Sequence, residues 1–173
     1  MTAEKHNPST HQAWMSQAWN YFDAGNHAEA HKICLSVLQA DTTQAEALHL
    51  MGVFAYLAND QGTAILLISE AIKSHNKHAP MHGNLALAKA AAGDLKGAAA
   101  SCRKALALNP AYADAHRCLG IVRQKEGEFK EAVQEFQRAL MLGLDTTEVR
   151  AFLDQSRDEQ DRAQQKNKCI GAA

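Results

Sequence analysis

Three histidines follow one another at intervals of three and four residues, and imidazole is a common ligand of zinc. His75, His78 and His82 span a predicted helix end, a turn with Pro80 and a new helix start. Their spacing therefore does not force the three rings to converge on one ion. No cysteine or acidic residue lies close in sequence to complete a zinc site. We predict no metal and no cofactor.

The sequence also lacks the patterns of common catalytic sites. It contains no glycine-rich phosphate loop, no nucleophile elbow and no carboxylate pair of defined geometry. The four cysteines are far apart and form no CxxC pair: Cys34, Cys102, Cys118 and Cys169. Such cysteines are typical of small buried side chains in a reducing compartment. A reactive thiol at Cys118 is the alternative, but the overall prediction is a non-enzymatic protein.

Bulk properties restrict the possible partners. The net charge is −1, from 18 basic and 19 acidic residues, so no long-range attraction to nucleic acid or anionic lipid is expected. The first 12 residues are polar and lack the apolar core of a secretory signal. No run of about 18 apolar residues predicts a membrane span. We expect a cytoplasmic protein with a protein or peptide partner, without nucleic-acid binding or membrane insertion.

A 34-residue repeat determines where these side chains are placed. Four segments align in register: 11–44, 45–78, 79–112 and 113–146. Their eighth place holds Ala18, Gly52, Ala86 and Gly120, and their twentieth place is always alanine. Each segment contains two apolar patterns at helical spacing. The patterns are separated by Gly25-Asn26, Asn59-Asp60, Gly93-Asp94 and Gly127-Glu128. These pairs are suited to end one helix and begin another. The period predicts a stacked array of helix pairs.

The small residues have a steric explanation. Glycine or alanine at a helix crossing lets two backbones approach closely, and we expect Gly52 and Gly120 to lie opposite Ala64 and Ala132. A larger residue there would be overpacked and would destabilise the pair by about 1–3 kcal/mol.

The segments resemble tetratricopeptide repeats, whose pattern is W–LG–Y…A…F…A…P. The first segment matches it with Trp14, Ala18, Tyr21, Gly25, Ala30 and Val37. The resemblance covers 136 of 173 residues. It implies an all-α, right-handed superhelical solenoid of four helix-turn-helix repeats. Residues 147–168 are predicted to form a C-terminal capping helix, with an N-cap at Thr146-Thr147. Residues 1–10 and 169–173 are predicted to be disordered tails.

A second resemblance concerns residues 47–53 and 82–86. These segments are similar to the repeats that accompany bacterial O-linked glycosyltransferase-type domains, in which a ladder of asparagines binds the backbone of an extended peptide. Asn84 matches the ladder position. Ser16, Leu50 and Cys118 occupy the corresponding places of the other repeats, so one rung of the ladder is present.

In a tetratricopeptide array the first helix of each pair lines the concave surface. The predicted partner-binding groove consists of Met15, Trp19, Phe22, His49, Leu50, Val53, Tyr56, Asn84, Leu87, Arg117, Ile121, Gln124 and Lys125. The first two repeats carry more large apolar side chains there, including Leu57, than one pair needs, which favours an apolar helix or extended segment as partner. Alternatively, these side chains pack between repeats. The cations of the fourth repeat either face solvent or bind an acidic segment.

The same groove positions lack the side chains of a carboxylate-binding repeat. Repeats that bind the C-terminal carboxylate of chaperones use Lys and Asn at places held here by Met15, Trp19 and Leu50. Without those donors a terminal carboxylate has little to pair with. The remaining alternatives are a substrate-recognition partner of a separately encoded transferase, a chaperone for secreted apolar segments, and self-association through the termini.

Overall fold

A computed structural model describes the backbone of residues 8–171 and the side chains of residues 10–166. These residues form nine α-helices and no strand. In chain order they are α1 (Pro8–Asp23), α2 (His27–Ala40), α3 (Ala45–Leu57), α4 (Gln61–Ser74), α5 (Ala79–Ala91), α6 (Leu95–Leu108), α7 (Ala113–Lys125), α8 (Phe129–Met141) and α9 (Thr147–Gly171). The predicted all-α architecture of helix pairs is confirmed. None of the described helices is long and apolar enough to cross a membrane.

The ends of the chain differ in part from the sequence expectation. The predicted disordered tails fall mainly on residues 1–7 and 172–173, which lie outside the described residues. Residues 8–10 begin α1, and residues 169–171 are the last turn of α9. The Oγ1 of Thr146 accepts a hydrogen bond from the Val149 amide at 3.2 Å, so Thr146 caps α9 as its position suggested.

The turn inside each helix pair depends on one residue with positive φ. Gly25, Gly93 and Gly127 have φ of +76°, +86° and +80°, and Asn59 has φ of +63°. Only glycine and a few polar residues adopt this conformation readily. Capping of the second helices is less uniform. Asp60 accepts from the Thr63 amide at 3.0 Å and Asp94 from the Gly97 amide at 2.9 Å, whereas Asn26 makes no side-chain cap.

Two helix crossings explain the small residues. A Cβ at Gly52 would lie 2.5 Å from Ile68 Cγ1 and 3.3 Å from the Ala64 carbonyl oxygen. A Cβ at Gly120 would lie 2.6 Å from the ring of Phe136. The nearest atoms at Gly120 belong to Phe136, which lies one turn beyond Ala132 on α8. Because Ala132 has only a methyl group, the larger side chain of Phe136, one turn later on α8, fills the space at this crossing.

The chain divides into two compact units, Met1–Lys77 and His78–Ala173. In the first, called here the N-terminal unit, the core contains Met15, Ala18, Cys34, Val37, Ala47, Leu50 and Val53. The half-buried rings of Trp14, Trp19, Phe22 and Phe54 pack against this core. The unit is therefore stabilised by a few large side chains whose outer parts continue to its surface.

Among its described residues the second unit, called here the C-terminal unit, contains the following two hydrophobic cores. One lies among α5, α6 and α7 and is rich in alanine: Ala86, Ala90, Ala98, Ala99, Cys102, Cys118, Leu119 and Val122. The other joins α8 to α9 through Ala132, Phe136, Ala139, Val149 and Leu153. The rings of Phe136 and Phe152 stack with centroids 5.6 Å apart. The apolar side chains of Val149, Phe152 and Leu153 therefore pack α9 against the last repeat.

Candidate interaction surface

The first helices of the N-terminal unit are connected by aromatic rings. Trp19 and Phe22 lie one turn apart on α1, with ring centroids 5.7 Å apart and nearly perpendicular. Trp19 contacts His49 of α3 at 5.3 Å, and Phe22 contacts Phe54 of α3 at 5.5 Å. Both α1 rings are half-buried. The alternative interpretation, packing between repeats, thus describes the inner side of Trp19 and Phe22.

Four predicted groove residues lie in the interior instead. Met15 and Leu50 have no exposed surface, His49 is 1% exposed and Val53 is 9% exposed. Met15, Leu50 and Val53 belong to the core of the N-terminal unit. Successive residues on a helix are rotated by about 100° around its axis. In this structure that rotation directs these four side chains toward the neighbouring helices. These four residues therefore lie beneath the predicted groove and do not line it.

Tyr56 and Leu57 are the accessible apolar residues at the end of α3. Tyr56 is half-buried, and Leu57 is 55% exposed. We use the term apolar surface for Trp19, Phe22, Tyr56 and Leu57. Its members are on α1 and α3, the first helices of the first two repeats. This is the part of the predicted groove in the N-terminal unit that keeps apolar side chains accessible.

In the C-terminal unit the predicted uncharged groove residues are half-buried. Leu87 packs against the alanine-rich core, and Ile121 packs against the core that joins α8 to α9. Asn84 lies on α5 and is also half-buried. The buried Nε2 of Gln124 has no hydrogen-bond partner within the described part of the chain. None of these four residues is an exposed apolar side chain, whereas Leu57 of the apolar surface is 55% exposed.

The predicted cations of the fourth repeat already have partners. Arg117 lies 3.1 Å from Asp114 and 3.5 Å from Glu148 in the first turn of α9. The Nζ of Lys125 donates a hydrogen bond to the Ala90 carbonyl oxygen at 3.2 Å. That oxygen is at the C-terminal end of α5, where a cation is favourable. Both side chains therefore stabilise the C-terminal unit itself.

The histidines considered as metal ligands are in different environments. His75 is the C-cap of α4, His78 is the N-cap of α5, and His82 is 4% exposed. Among the described residues no group of three or more His, Cys, Asp or Glu side chains is arranged to hold a metal ion.

His116 is a buried structural residue. Its Nδ1 lies 2.6 Å from Glu135 Oε2, and its Nε2 lies 3.2 Å from the Pro110 carbonyl oxygen. Since both partners are acceptors, only the protonated imidazolium donates to both at once. Thus His116 connects α7 to α8 and to the turn that precedes α7.

The described cysteines are buried thiols. Cys102 and Cys118 belong to the same core, and a hydrogen bond between them together with burial raises the pKa of Cys102. Burial raises the pKa of Cys34 to about 11. A nucleophilic cysteine needs an accessible thiolate. Cys118 has no exposed surface, so this environment does not favour the reactive-thiol alternative.

Three side chains outside the predicted groove lie beside the apolar surface. His27 and His31 of α2 and Phe54 of α3 join Trp19, Phe22 and His49 in one group of rings. We call these six residues the aromatic cluster. The spacing of four between His27 and His31 is the signal in the sequence that predicts a shared helix face.

Comparisons with known proteins agree with this architecture. Residues 89–155 match the family model described as tetratricopeptide repeat. Tetratricopeptide repeat protein 36 of Xenopus tropicalis is 35% identical over 114 residues, which are 64% of this chain and 56% of the relative. The human protein of that name is 32% identical over 109 residues, 61% of this chain and 58% of the relative. The chain thus spans just over half the length of these relatives.

Solved structures share the fold. The Thermobaculum terrenum O-GlcNAc transferase mutant K341M has a TM-score of 0.68 and 26% identity, covering 80% of this chain and 27% of the transferase chain. The first repeat domain of Spaghetti (RPAP3), bound to the HSP90 peptide SRMEEVD, has a TM-score of 0.65 and 21% identity. That match covers 70% of this chain and 98% of the other. Residues 89–155 thus match the tetratricopeptide repeat, and the chain shares the fold of these repeat structures.

Proposed function

We propose that this protein is a non-enzymatic interaction module that binds an apolar helix or extended peptide of a partner protein through the apolar surface. Tetratricopeptide repeats are a protein-binding fold, and the Spaghetti domain is an example with a bound peptide. The observation that carries the proposal is the 55% exposure of Leu57 directly after the half-buried Tyr56. The cytoplasmic location expected from the sequence remains a prediction.

The chemistry of the surface favours apolar anchors over a terminal carboxylate. The peptide bound by the Spaghetti domain ends in Glu-Glu-Val-Asp, in which three of the four residues are acidic. Here two of the places expected to carry cationic and amide donors hold Met15 and Leu50, which are buried in the core. A carboxylate would find no charged donor in them. We propose that the partner contributes Leu-, Ile- or Phe-type side chains.

The expected energies are sufficient for specific recognition. Complete burial of a leucine side chain contributes about 1.5–3 kcal/mol, and a few central anchors usually dominate an interface. Leu57 begins half exposed, whereas Trp19 and Phe22 already bury their inner faces. We therefore assign most of the new apolar burial to Leu57 and Tyr56. The two α1 rings would form the adjoining wall.

The test compares two leucines of similar exposure on different helices. Leu57 is 55% exposed at the end of α3, and Leu66 is 70% exposed on α4. Affinity purification from the native cell extract would use wild type, Leu57→Asp and Leu66→Asp. Circular dichroism would first establish that all three are equally helical. We expect a partner that is retained by wild type and Leu66→Asp and is lost with Leu57→Asp.

The binding should then be measured with purified partner. Leu57→Asp is expected to weaken the affinity by roughly tenfold or more, because it removes an apolar contact and buries a charge. Leu66→Asp should change the affinity less than twofold. Equal affinities for the two variants would contradict the apolar surface as the binding site. A stronger effect of Leu66→Asp would move the site to α4.

A second candidate function is substrate recognition for a separately encoded transferase. It is favoured by the likeness to the Thermobaculum O-GlcNAc transferase and by Asn84 at the ladder position. Two outcomes distinguish it from the first. The captured proteins would include a sugar transferase, and modification of a captured substrate would decrease when this chain is omitted. Asn84→Ala would then reduce modification, whereas the general interaction function predicts no such dependence.

A further inference from the structure

Two histidines begin α2 on one face of the helix. The helix runs His27–Ala40, so His27 is its first residue and His31 lies one turn later. Side chains four residues apart on a helix are neighbours, with Cβ atoms about 5–6 Å from each other. Their imidazoles therefore project from adjacent places on the same face.

Both rings are positioned by the aromatic cluster. His27 stacks on Phe22 with centroids 5.0 Å apart and planes 12° apart. His27 and His31 also contact the same Phe54 ring, edge to face, at 5.8 Å and 5.6 Å. Packing against one shared ring brings the two imidazoles to one locality and restricts their rotamers. A ligand that needs both rings then loses less side-chain entropy on binding.

The ring nitrogens of this pair have no hydrogen-bond partner among the residues whose side chains are described. Within residues 10–166 neither ring makes a hydrogen bond, and the interactions of both are the ring contacts given above. His27 is exposed and His31 is half-buried. His116 provides a contrast, because both of its nitrogens have protein partners. The His27 and His31 nitrogens keep their coordinating capacity.

We propose that His27 and His31 form a two-histidine site for a divalent transition-metal ion of the Cu²⁺, Ni²⁺ or Zn²⁺ class. Two imidazoles at i and i+4 on one helix face are a bidentate arrangement for such ions, and water completes the coordination. Imidazole suits these metals, whereas Mg²⁺ and Ca²⁺ require oxygen ligands. The positive end of the α2 dipole disfavours a nearby cation. One imidazole alone is therefore expected to bind the ion weakly, and binding requires a ring nitrogen from each histidine. The site is separate from His75, His78 and His82.

Two consequences follow from the chemistry. Metal binding requires neutral imidazoles, so affinity falls as the solution is acidified. The i, i+4 geometry exists only when α2 is helical, so the ion binds the folded state preferentially and raises the melting temperature. Of the three metals, Cu²⁺ is expected to bind most tightly.

The experiment uses the full chain and Cu²⁺ as probe. Isothermal titration gives affinity and stoichiometry, and electron paramagnetic resonance counts coordinated nitrogens. Wild type is expected to bind one Cu²⁺ through two imidazole nitrogens at this site. His27→Gln and His31→Gln should each lose the two-nitrogen signal and weaken binding by roughly tenfold. His75→Gln, which removes an exposed histidine at the end of α4, should behave as wild type.

A matched variant tests the spacing itself. His31→Gln combined with Lys32→His keeps nine histidines but places the second imidazole at i+5, off the shared face. It should behave like His31→Gln, with weak binding and no copper-dependent rise in melting temperature. Wild-type binding by this variant, or by both single His→Gln variants, would overturn the proposal. Loss of the signal in His75→Gln would overturn it as well.

Discussion

The N-terminal and C-terminal units are built from the same helix pair but stabilise its surroundings with different chemistry. In the N-terminal unit, rings contact rings around α1, α2 and α3. Its salt bridges among the described residues are exposed pairs within one helix, Lys32 with Glu29 and Lys73 with Glu70. In the C-terminal unit, polar pairs connect different helices: the buried His116 contacts Glu135, and the half-buried Arg117 contacts the exposed Glu148.

The difference shows which parts of the repeat are required by the fold. Both units need the small residue at the crossing and the positive-φ residue in the turn. The contacts around that frame tolerate either aromatic or ionic side chains. An ionic arrangement pairs its charges internally. An aromatic arrangement leaves apolar edges accessible, which is why the proposed partner site lies in the N-terminal unit.

The largest expected effect compares the two crossings. A Cβ at Gly120 meets the rigid Phe136 ring at 2.6 Å, whereas one at Gly52 meets the aliphatic chain of Ile68 at 2.5 Å. Since an aliphatic chain has other rotamers, we expect Gly120→Ala to destabilise by about 2–3 kcal/mol and Gly52→Ala by about 1 kcal/mol. Native-state hydrogen exchange in each helix pair measures both.

The matched control is Gly62→Ala on α4. A Cβ there would lie 3.7 Å from Asp60 Oδ1, an ordinary contact. Because alanine is the better helix former, this change should stabilise α4 by up to about 1 kcal/mol. Equal losses of stability in Gly52→Ala and Gly120→Ala would contradict the expected difference between the two crossings.

A second difference should appear at alkaline pH. Burial raises the pKa of Cys34 from 9.0 to about 11 and of Tyr112 from 10.0 to about 12. Folding favours the neutral forms, so this stabilisation is complete below the unfolded pKa and is lost as pH rises through the folded pKa. The N-terminal unit should weaken by about 2 kcal/mol between about pH 9 and 11. In the C-terminal unit, Tyr112 should contribute a similar loss between about pH 10 and 12, and Cys102, whose pKa is also raised, should add a loss that begins near pH 9.

Hydrogen exchange cannot follow such alkaline transitions, so urea unfolding at fixed pH is the suitable measurement. Cys34→Ala should remove the pH dependence of the N-terminal unit, and Tyr112→Phe combined with Cys102→Ala should remove that of the C-terminal unit. Trp14 and Trp19 lie in the N-terminal unit, so their fluorescence reports on that unit. If the unfolding free energy of Cys34→Ala, followed by tryptophan fluorescence, still declines over this pH range, the transition belongs to another group.

The ionic contacts of the two units should differ in strength. Glu135→Gln removes the carboxylate that pairs with the buried His116, and we expect a loss of about 1–3 kcal/mol. Glu29→Gln removes an exposed partner of Lys32 and should change the stability by less than about 0.5 kcal/mol. Urea unfolding at low and high salt checks both. An equal effect of the two substitutions would show that the C-terminal unit does not depend on this pair.

The smallest expected effect is at the end of α5. Lys125→Met keeps the aliphatic part of the side chain but removes the hydrogen bond to the Ala90 carbonyl oxygen. We expect a loss of about 0.5–1 kcal/mol, seen as faster amide exchange in the last turn of α5. Lys104→Met, at an exposed lysine of α6, is the control and should leave that exchange unchanged.

Much of the fold was predictable, because its signals are local. The turn residues Gly25, Asn59, Gly93 and Gly127 identify the positions where φ is positive, and Thr146 identifies the start of α9. The candidate site was less predictable. Met15 and Trp19 both fall on the predicted groove stripe, but one is fully buried and the other is half-buried. Helical spacing gives a direction around the axis and does not say what the neighbouring helix covers.

The sequence by itself determined the helix pairs, their turns and the small residues at their crossings, because these depend on a 34-residue period and on residue-specific backbone conformation. Tertiary structure decided which stripe residues remain accessible. It also decided that Arg117 pairs with Glu148 and that His27 and His31 share the ring of Phe54. These contacts join residues distant in the chain, and their geometry is set by how one helix packs on the next.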